Sequence, residues 1–156
     1  MRLLSSLPIL CTFTAAIWSP AFGTGTGVCD LSGTAMTFKQ KCKDNSCQVS
    51  SVTFTALNAG TGDANCTVSF YLSNDAALAF PPAPADSNGD KLIQTVSLGK
   101  IKAAANKKRT LGGGLLKQAN AVAGQYIIAV VNTTQDCGET NTANNTYSAL
   151  IPFPPQ

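Results

Sequence analysis

The 156-residue chain contains no histidine, and that absence removes several chemistries at once. Ser-His-Asp and Cys-His arrangements for nucleophilic catalysis cannot be assembled, and histidine-ligated metal sites go with them. Charge is scarce as well. Only 12% of residues are Asp, Glu, Lys or Arg, and a net charge of +3 is too weak to argue for nucleic acid as a partner. The eight acids are Asp30, Asp44, Asp63, Asp75, Asp86, Asp90, Asp136 and Glu139. Nearly all sit in turn-like segments, where aspartate is favoured for its bonds to the backbone. Nothing selects two of them as a glycosidase-type pair. The expectation is therefore a protein that is not an enzyme, with no catalytic residue and no cofactor.

Long apolar runs are also missing, apart from the first residues. Met1-Arg2 is followed by an apolar stretch over 3–18, and small residues close it at Ala21-Phe22-Gly23. A short basic start, an apolar middle and an Ala-x-Gly ending have the layout of a secretory signal peptide over 1–23. The stretch is too short and too interrupted for a membrane span. Cys11 does not make it a lipoprotein leader, because Leu10 stands where a small residue is needed. The predicted organisation is a leader (1–23), a short linker (24–29) and one domain (30–153), secreted or held at the cell envelope. Its abundant Thr, Ser, Asn, Ala and Gly suit short strands joined by turns.

Export changes how the cysteines are read. Beyond the leader stand Cys29, Cys42, Cys47, Cys66 and Cys137. Cys42 and Cys47 bracket the polar turn Lys43-Asp44-Asn45-Ser46, so a bridge there pins a hairpin tip and fixes its register. Of the other three, Cys66 with Cys137 is the preferred pair, and Cys29 with either of them is the alternative. Metal-thiolate binding is not expected, since Cys-x4-Cys has no matching second pair.

Periodicity predicts about seven strands. The segment from 30 to 41 carries Leu31, Thr34, Met36 and Phe38, and Lys39, Lys41 and Lys43 then share one solvent face of what looks like an edge strand. A second strand covers 48–57. The third alternates Cys66, Val68, Phe70 and Leu72 with Thr67, Ser69, Tyr71 and Ser73, a half-buried pattern of period two. After a proline-containing connection (74–90) come strands over 92–98 and 107–116, the latter loosened or bulged at Gly112-Gly113-Gly114. The run Tyr126-Ile127-Ile128-Ala129-Val130-Val131 is the most buried strand, and 147–151 is the last. No amphipathic helix is expected. The fold class is all-β, an immunoglobulin-like two-sheet antiparallel sandwich. Val52, Phe54, Val68, Phe70, Leu72, Tyr126, Ile128, Val130 and Leu150 should face inward. Cys29, Cys66 and Cys137 should lie at one end, with the Cys42–Cys47 turn at the other.

The order of segments resembles the bacterial cell-adhesion-related domain, CARDB. The matching stretches are Leu57-Asn58-Ala59-Gly60, Val68-Ser69-Phe70-Tyr71-Leu72-Ser73-Asn74-Asp75, and Gly89-Asp90-Lys91-Leu92-Ile93. They continue with Gly124-Gln125-Tyr126-Ile127-Ile128-Ala129-Val130-Val131 and end at Glu139-Thr140-Asn141-Thr142-Ala143-Asn144-Asn145. The resemblance implies an immunoglobulin-like sandwich that binds or adheres at the cell surface, and it carries over no catalytic residues.

Three surface features remain. Lys100, Lys102, Lys107, Lys108 and Arg109 form the densest charge cluster, a candidate patch for anionic polymers or head groups whose attraction should fall with salt. Asp86, Asn88 and Asp90 place oxygens at alternate positions, a weak calcium candidate without the closing glutamate of an EF-hand loop. Sugar-stacking platforms reduce to Tyr71 and Tyr147, because Trp18 leaves with the leader and Tyr126 is expected inside. The leading expectation is a binding module for an unknown protein or glycan at the cell surface. The alternatives are an envelope-assembly subunit that uses its edge strands and a small carbohydrate-binding module.

Overall fold

The structure is a computed structural model that describes residues 27–43, 46–79, 89–133, 137–139 and 141–153. The predicted leader and residues 24–26 of the linker lie outside them, as do Asp44, Asp86, Asn88 and Asp136. Strands β1 (Leu31–Lys43), β2 (Ser46–Asn58) and β5 (Ala105–Gly112) form one sheet in the order β1-β2-β5. Strands β4 (Lys91–Ile101), β3 (Ala64–Ser73), β6 (Tyr126–Thr133) and β7 (Thr146–Leu150) form the second, in that spatial order. Every pairing is antiparallel. The expected sandwich is therefore present, with seven strands. Its fourth strand pairs with β3 in the larger sheet and does not extend the smaller one.

The alternation of β2 and β3 sets the core. Val52, Phe54 and Ala56 from one sheet meet Val68, Phe70 and Leu72 from the other, all buried. Phe54 and Phe70 pack edge to face at 6.0 Å between centroids. Burying a side chain of that size is worth about 2–3 kcal/mol, and the aromatic geometry adds about 0.5–1.5 kcal/mol. On the outer face of β2, the hydroxyls of Thr53 and Thr110 bond at 2.9 Å.

Strand β6 corrects one expectation. Its inward residues are Ile127, Ala129 and Val131, set beside Leu72, Phe70 and Val68 by the register with β3. Ile128 and Val130, expected inside the sandwich, lie on the opposite face. There they form a second buried cluster with Tyr71, against which Leu78 and the half-buried Tyr126 pack. A continuous apolar run has no alternation to choose a face, and both faces of this strand are covered. The same parity places Leu150 outside at 45% exposure, while Ile151 takes its place in the core. Both expected surface aromatics are also withdrawn. Tyr71 is buried, and Tyr147 faces inward with its ring 6.3 Å from Phe54.

A second correction concerns 107–116. The strand stops at Gly112, and Gly113–Ala119 is a helix, α1, with Leu116 and Ala119 buried against the core. Asn120 ends it in the left-handed conformation (φ 60°, ψ 40°), its N–H donating back to Lys117 O at 3.0 Å. Gly113 is required by close approach, since a Cβ there would sit 2.6 Å from Ser50 O.

The cysteines bring the third. Cys42–Cys47 is bridged as expected, across directly paired residues of β1 and β2. The second bridge is Cys29–Cys137, and Cys66 is a buried free thiol, so the preferred Cys66–Cys137 pairing does not form. All three cysteines do belong to one region of the core. Cys66 sits within β3, between Gly99 and Thr133 in the register, with its thiol toward Gly99 O at 3.7 Å. Cys137 lies past the end of β6, where the chain ahead of β1 reaches it and Cys29 N donates to Cys137 O at 3.1 Å. Two disulfides are the mark of an oxidising, extracellular-type environment.

Candidate functional site

The two ends of the sandwich differ in chemistry. At the Cys29 end, polar groups are consumed in holding loops together. Asn58 is fully buried. Its Oδ1 accepts from Asp30 N (3.2 Å) and Gly60 N (3.1 Å), while its Nδ2 donates to Gly62 O (2.7 Å) and Ile101 O (3.3 Å). Residues 27–30, expected as the end of a linker and the start of the domain, are tied to that turn. Val28 O accepts from Thr61 N and Gly62 N, and Asp30 O from Ala59 N at 2.7 Å. Glu139 Oε1 accepts from Leu31 N at 2.8 Å, and Asn144 Nδ2 donates to Asp30 Oδ1 at 2.9 Å. Burial pushes the Cys66 thiol up to about 11, so it is a protonated core group and not a nucleophile.

The predicted cation cluster starts at this end and runs to the middle of β5, and it is not gathered into one patch. Lys100 forms an ion pair with Asp63 at 2.8 Å. That contact, helped by the Ala103 N–H, holds the Asp63 carboxyl below its ordinary value. Lys107 Nζ donates to Lys100 O at 3.0 Å and ties β5 to β4. Lys102 is exposed on the connecting turn. Lys108 and Arg109 are exposed neighbours on β5, and consecutive strand residues point to opposite faces. Of the calcium candidates, only Asp90 is described. It is buried, and its Oδ2 accepts from Ala79 N at 3.0 Å. Among the described residues, no group of three or more His, Cys, Asp or Glu is placed to hold a metal ion.

The opposite end holds a groove of about 400 Å³ that the sequence did not predict. One wall is the β1–β2 hairpin tip, with Lys41, Cys47, Gln48, Val49 and Ser50. The other is α1 and the turn after it, with Gly113, Lys117, Asn120, Ala121 and Val122. Val49 and Ala121 are buried and form an apolar floor, whereas Lys41, Gln48, Lys117 and Asn120 are exposed at the rim. Lys41 pairs with Gln48 next to the paired Cys42 and Cys47, so the bridge fixes both at the mouth. Two cations from different elements thus face one concavity, and among the described residues no carboxylate lines it. A signal existed for the helical wall: Leu115, Leu116 and Ala119 recur at helical spacing and are followed by Asn120, a good left-handed cap.

The chain matches no family model, and no curated protein sequence matches it. Among solved structures it is similar to the crystal structure of DesR, a β-glucosidase from Streptomyces venezuelae in complex with D-glucose. That likeness has a TM-score of 0.34 and 16% identity, over 79% of this chain. The chain spans 15% of the length of that enzyme. A likeness of this order carries no argument about activity.

The acids supply a firmer observation. Among the described residues they are Asp30, Asp63, Asp75, Asp90 and Glu139, and each has an oxygen committed to a structural partner. Asp75 Oδ1 accepts from Ala77 N at 2.8 Å, and the other four are bound as given above. None lines the groove. Among the described residues no helix is long and apolar enough to cross a membrane.

Proposed function

We propose that the chain is a non-catalytic binding module, secreted or displayed at the cell surface, that recognises a protein or glycan partner there. The observation that carries this reading is the division of roles between the described acids and the residues that line the groove. Each described acid has an oxygen bound in loop or strand anchoring, and the described residues that line the groove offer hydrogen-bonding and cationic side chains without a carboxylate. Such a set of side chains can bind, and among the described residues that line the groove none supplies the carboxyl pair that hydrolysis of a glycosidic bond requires. The resemblance of the segment order to CARDB agrees with an extracellular binding role.

The assembly-subunit alternative draws less support. Lys39, Lys41 and Lys43 are exposed at alternate positions of edge strand β1, a device that discourages addition of another strand. The carbohydrate alternative gains from the groove, although stacking on Tyr71 or Tyr147 plays no part in it. A glycan array combined with pull-down from cell-envelope extracts tests the proposal. Saturable binding of an unmodified glycan or protein is expected. Turnover of a bound glycan, detected as released reducing ends, would refute the non-catalytic reading.

A further inference from the structure

The groove permits a narrower statement, which rests on the binding reading above. We infer that it takes an acidic saccharide, with Lys41 and Lys117 receiving the anionic group and Gln48, Ser50 and Asn120 the sugar hydroxyls. The volume of about 400 Å³ falls within the roughly 300–1,000 Å³ of small-molecule sites. Its apolar floor of Val49 and Ala121 and its polar rim match the two faces of a pyranose ring. Ser50 Oγ already donates to Lys39 O at 3.0 Å, which leaves its lone pairs for a hydroxyl donor.

Charge complementarity selects the acid. Lys39 and Lys43 stand on the same strand as Lys41, all three exposed, and Lys117 of α1 lines the groove together with Lys41. A lysine in the last turn also suits the helix dipole, but that role does not require a second cation across the groove on β1. The Cys42–Cys47 bridge has a positioning role here. It adjoins Lys41 on one strand and Gln48 on the other, and it holds the rim where a flexible tip would not.

Isothermal titration of the oxidised chain with a trigalacturonate, a sulfated disaccharide and a neutral maltotriose tests this. The two acidic arms separate carboxylate from sulfate as the recognised group. Binding of at least one acidic probe is expected, weakening with added salt. The K41A/K117A variant should bind roughly tenfold or more weakly, the loss of about one charge-assisted bond. K108A/R109A serves as the control and should bind normally. C42A/C47A should also bind weakly while its far-UV circular dichroism stays unchanged. The inference is overturned if maltotriose binds as tightly as the acids, or if K41A/K117A binds normally. It is also overturned if both acidic probes fail while another glycan or protein binds the chain, and in that case the general binding reading stands. Failure of every glycan and protein partner would sink both.

Discussion

Replacing Asn58 with alanine removes a fully buried side chain that ties three segments of the domain together. The amide makes four hydrogen bonds, two as acceptor and two as donor, and is 0% exposed. Its partners are backbone groups of the β2–β3 turn, the chain entering β1 and the end of β4, so the loss is shared by three segments. A neutral hydrogen bond contributes about 1 kcal/mol net. The long bond to Ile101 O should contribute least, and groups near the surface will recover water. The expected cost is about 3 kcal/mol. For a domain of this length 1 kcal/mol corresponds to roughly 3–5 °C, so the midpoint should fall by about 10–15 °C. Differential scanning calorimetry under oxidising conditions measures it, with N58D as companion. Aspartate keeps the two acceptor contacts but turns oxygen toward the carbonyls of Gly62 and Ile101, so N58D should be no better than N58A near neutral pH. A fall of less than about 3 °C for N58A would refute the reasoning, because it would mean that the buried amide is replaced by water at almost no cost.

Gly113→Ala should destabilise, since its Cβ would meet Ser50 O at 2.6 Å, whereas Gly114→Ala has open space and should stabilise α1 by up to about 1 kcal/mol; thermal melts of the pair check both signs. Removing the Cys29–Cys137 bridge, which spans 108 positions, should cost about 5 kcal/mol at most, and removing Cys42–Cys47, which spans 5, about 2 kcal/mol, in denaturant titrations. Cys66 should resist iodoacetamide at pH 8 in the folded domain and react once the chain is unfolded, as read by mass spectrometry. Its thiol rises from an ordinary 9.0 to about 11 on folding. The unfolded chain therefore loses that proton first, and the Cys66 contribution to stability should fade as pH climbs from about 9 to about 11 and vanish in Cys66→Ala.

Local pattern was sufficient wherever one face of a strand meets the core and the other meets water. The alternation of Cys66, Val68, Phe70 and Leu72 located β3 and its buried face, and Lys39, Lys41 and Lys43 marked β1 as an edge. The Cys42–Cys47 bridge was legible because two residues flanking a short polar turn on paired strands are neighbours in any such hairpin. Pattern failed where both faces are covered. The apolar run of β6 was recognised, but its inward set was chosen wrongly. Leu150 and Ile151 were exchanged for the same reason, since their parity follows from that of β6.

The amino-acid sequence by itself thus determined the class of fold, the Cys42–Cys47 bridge and the absence of histidine chemistry. These depend on composition, on short-range spacing and on period-two alternation, which survive without knowledge of long-range contacts. Only the tertiary structure decided which cysteine stays unpaired, because three thiols at one end differ in reach and direction, and those are fixed by where β3 and β6 begin and end. Only it assigned the acids to anchoring roles, since hydrogen-bond partners up to 114 positions apart (Asp30 and Asn144) are invisible in a linear reading. The groove belongs to the same category. Its walls come from β1, β2 and α1, and a cavity exists only where separate elements are packed side by side.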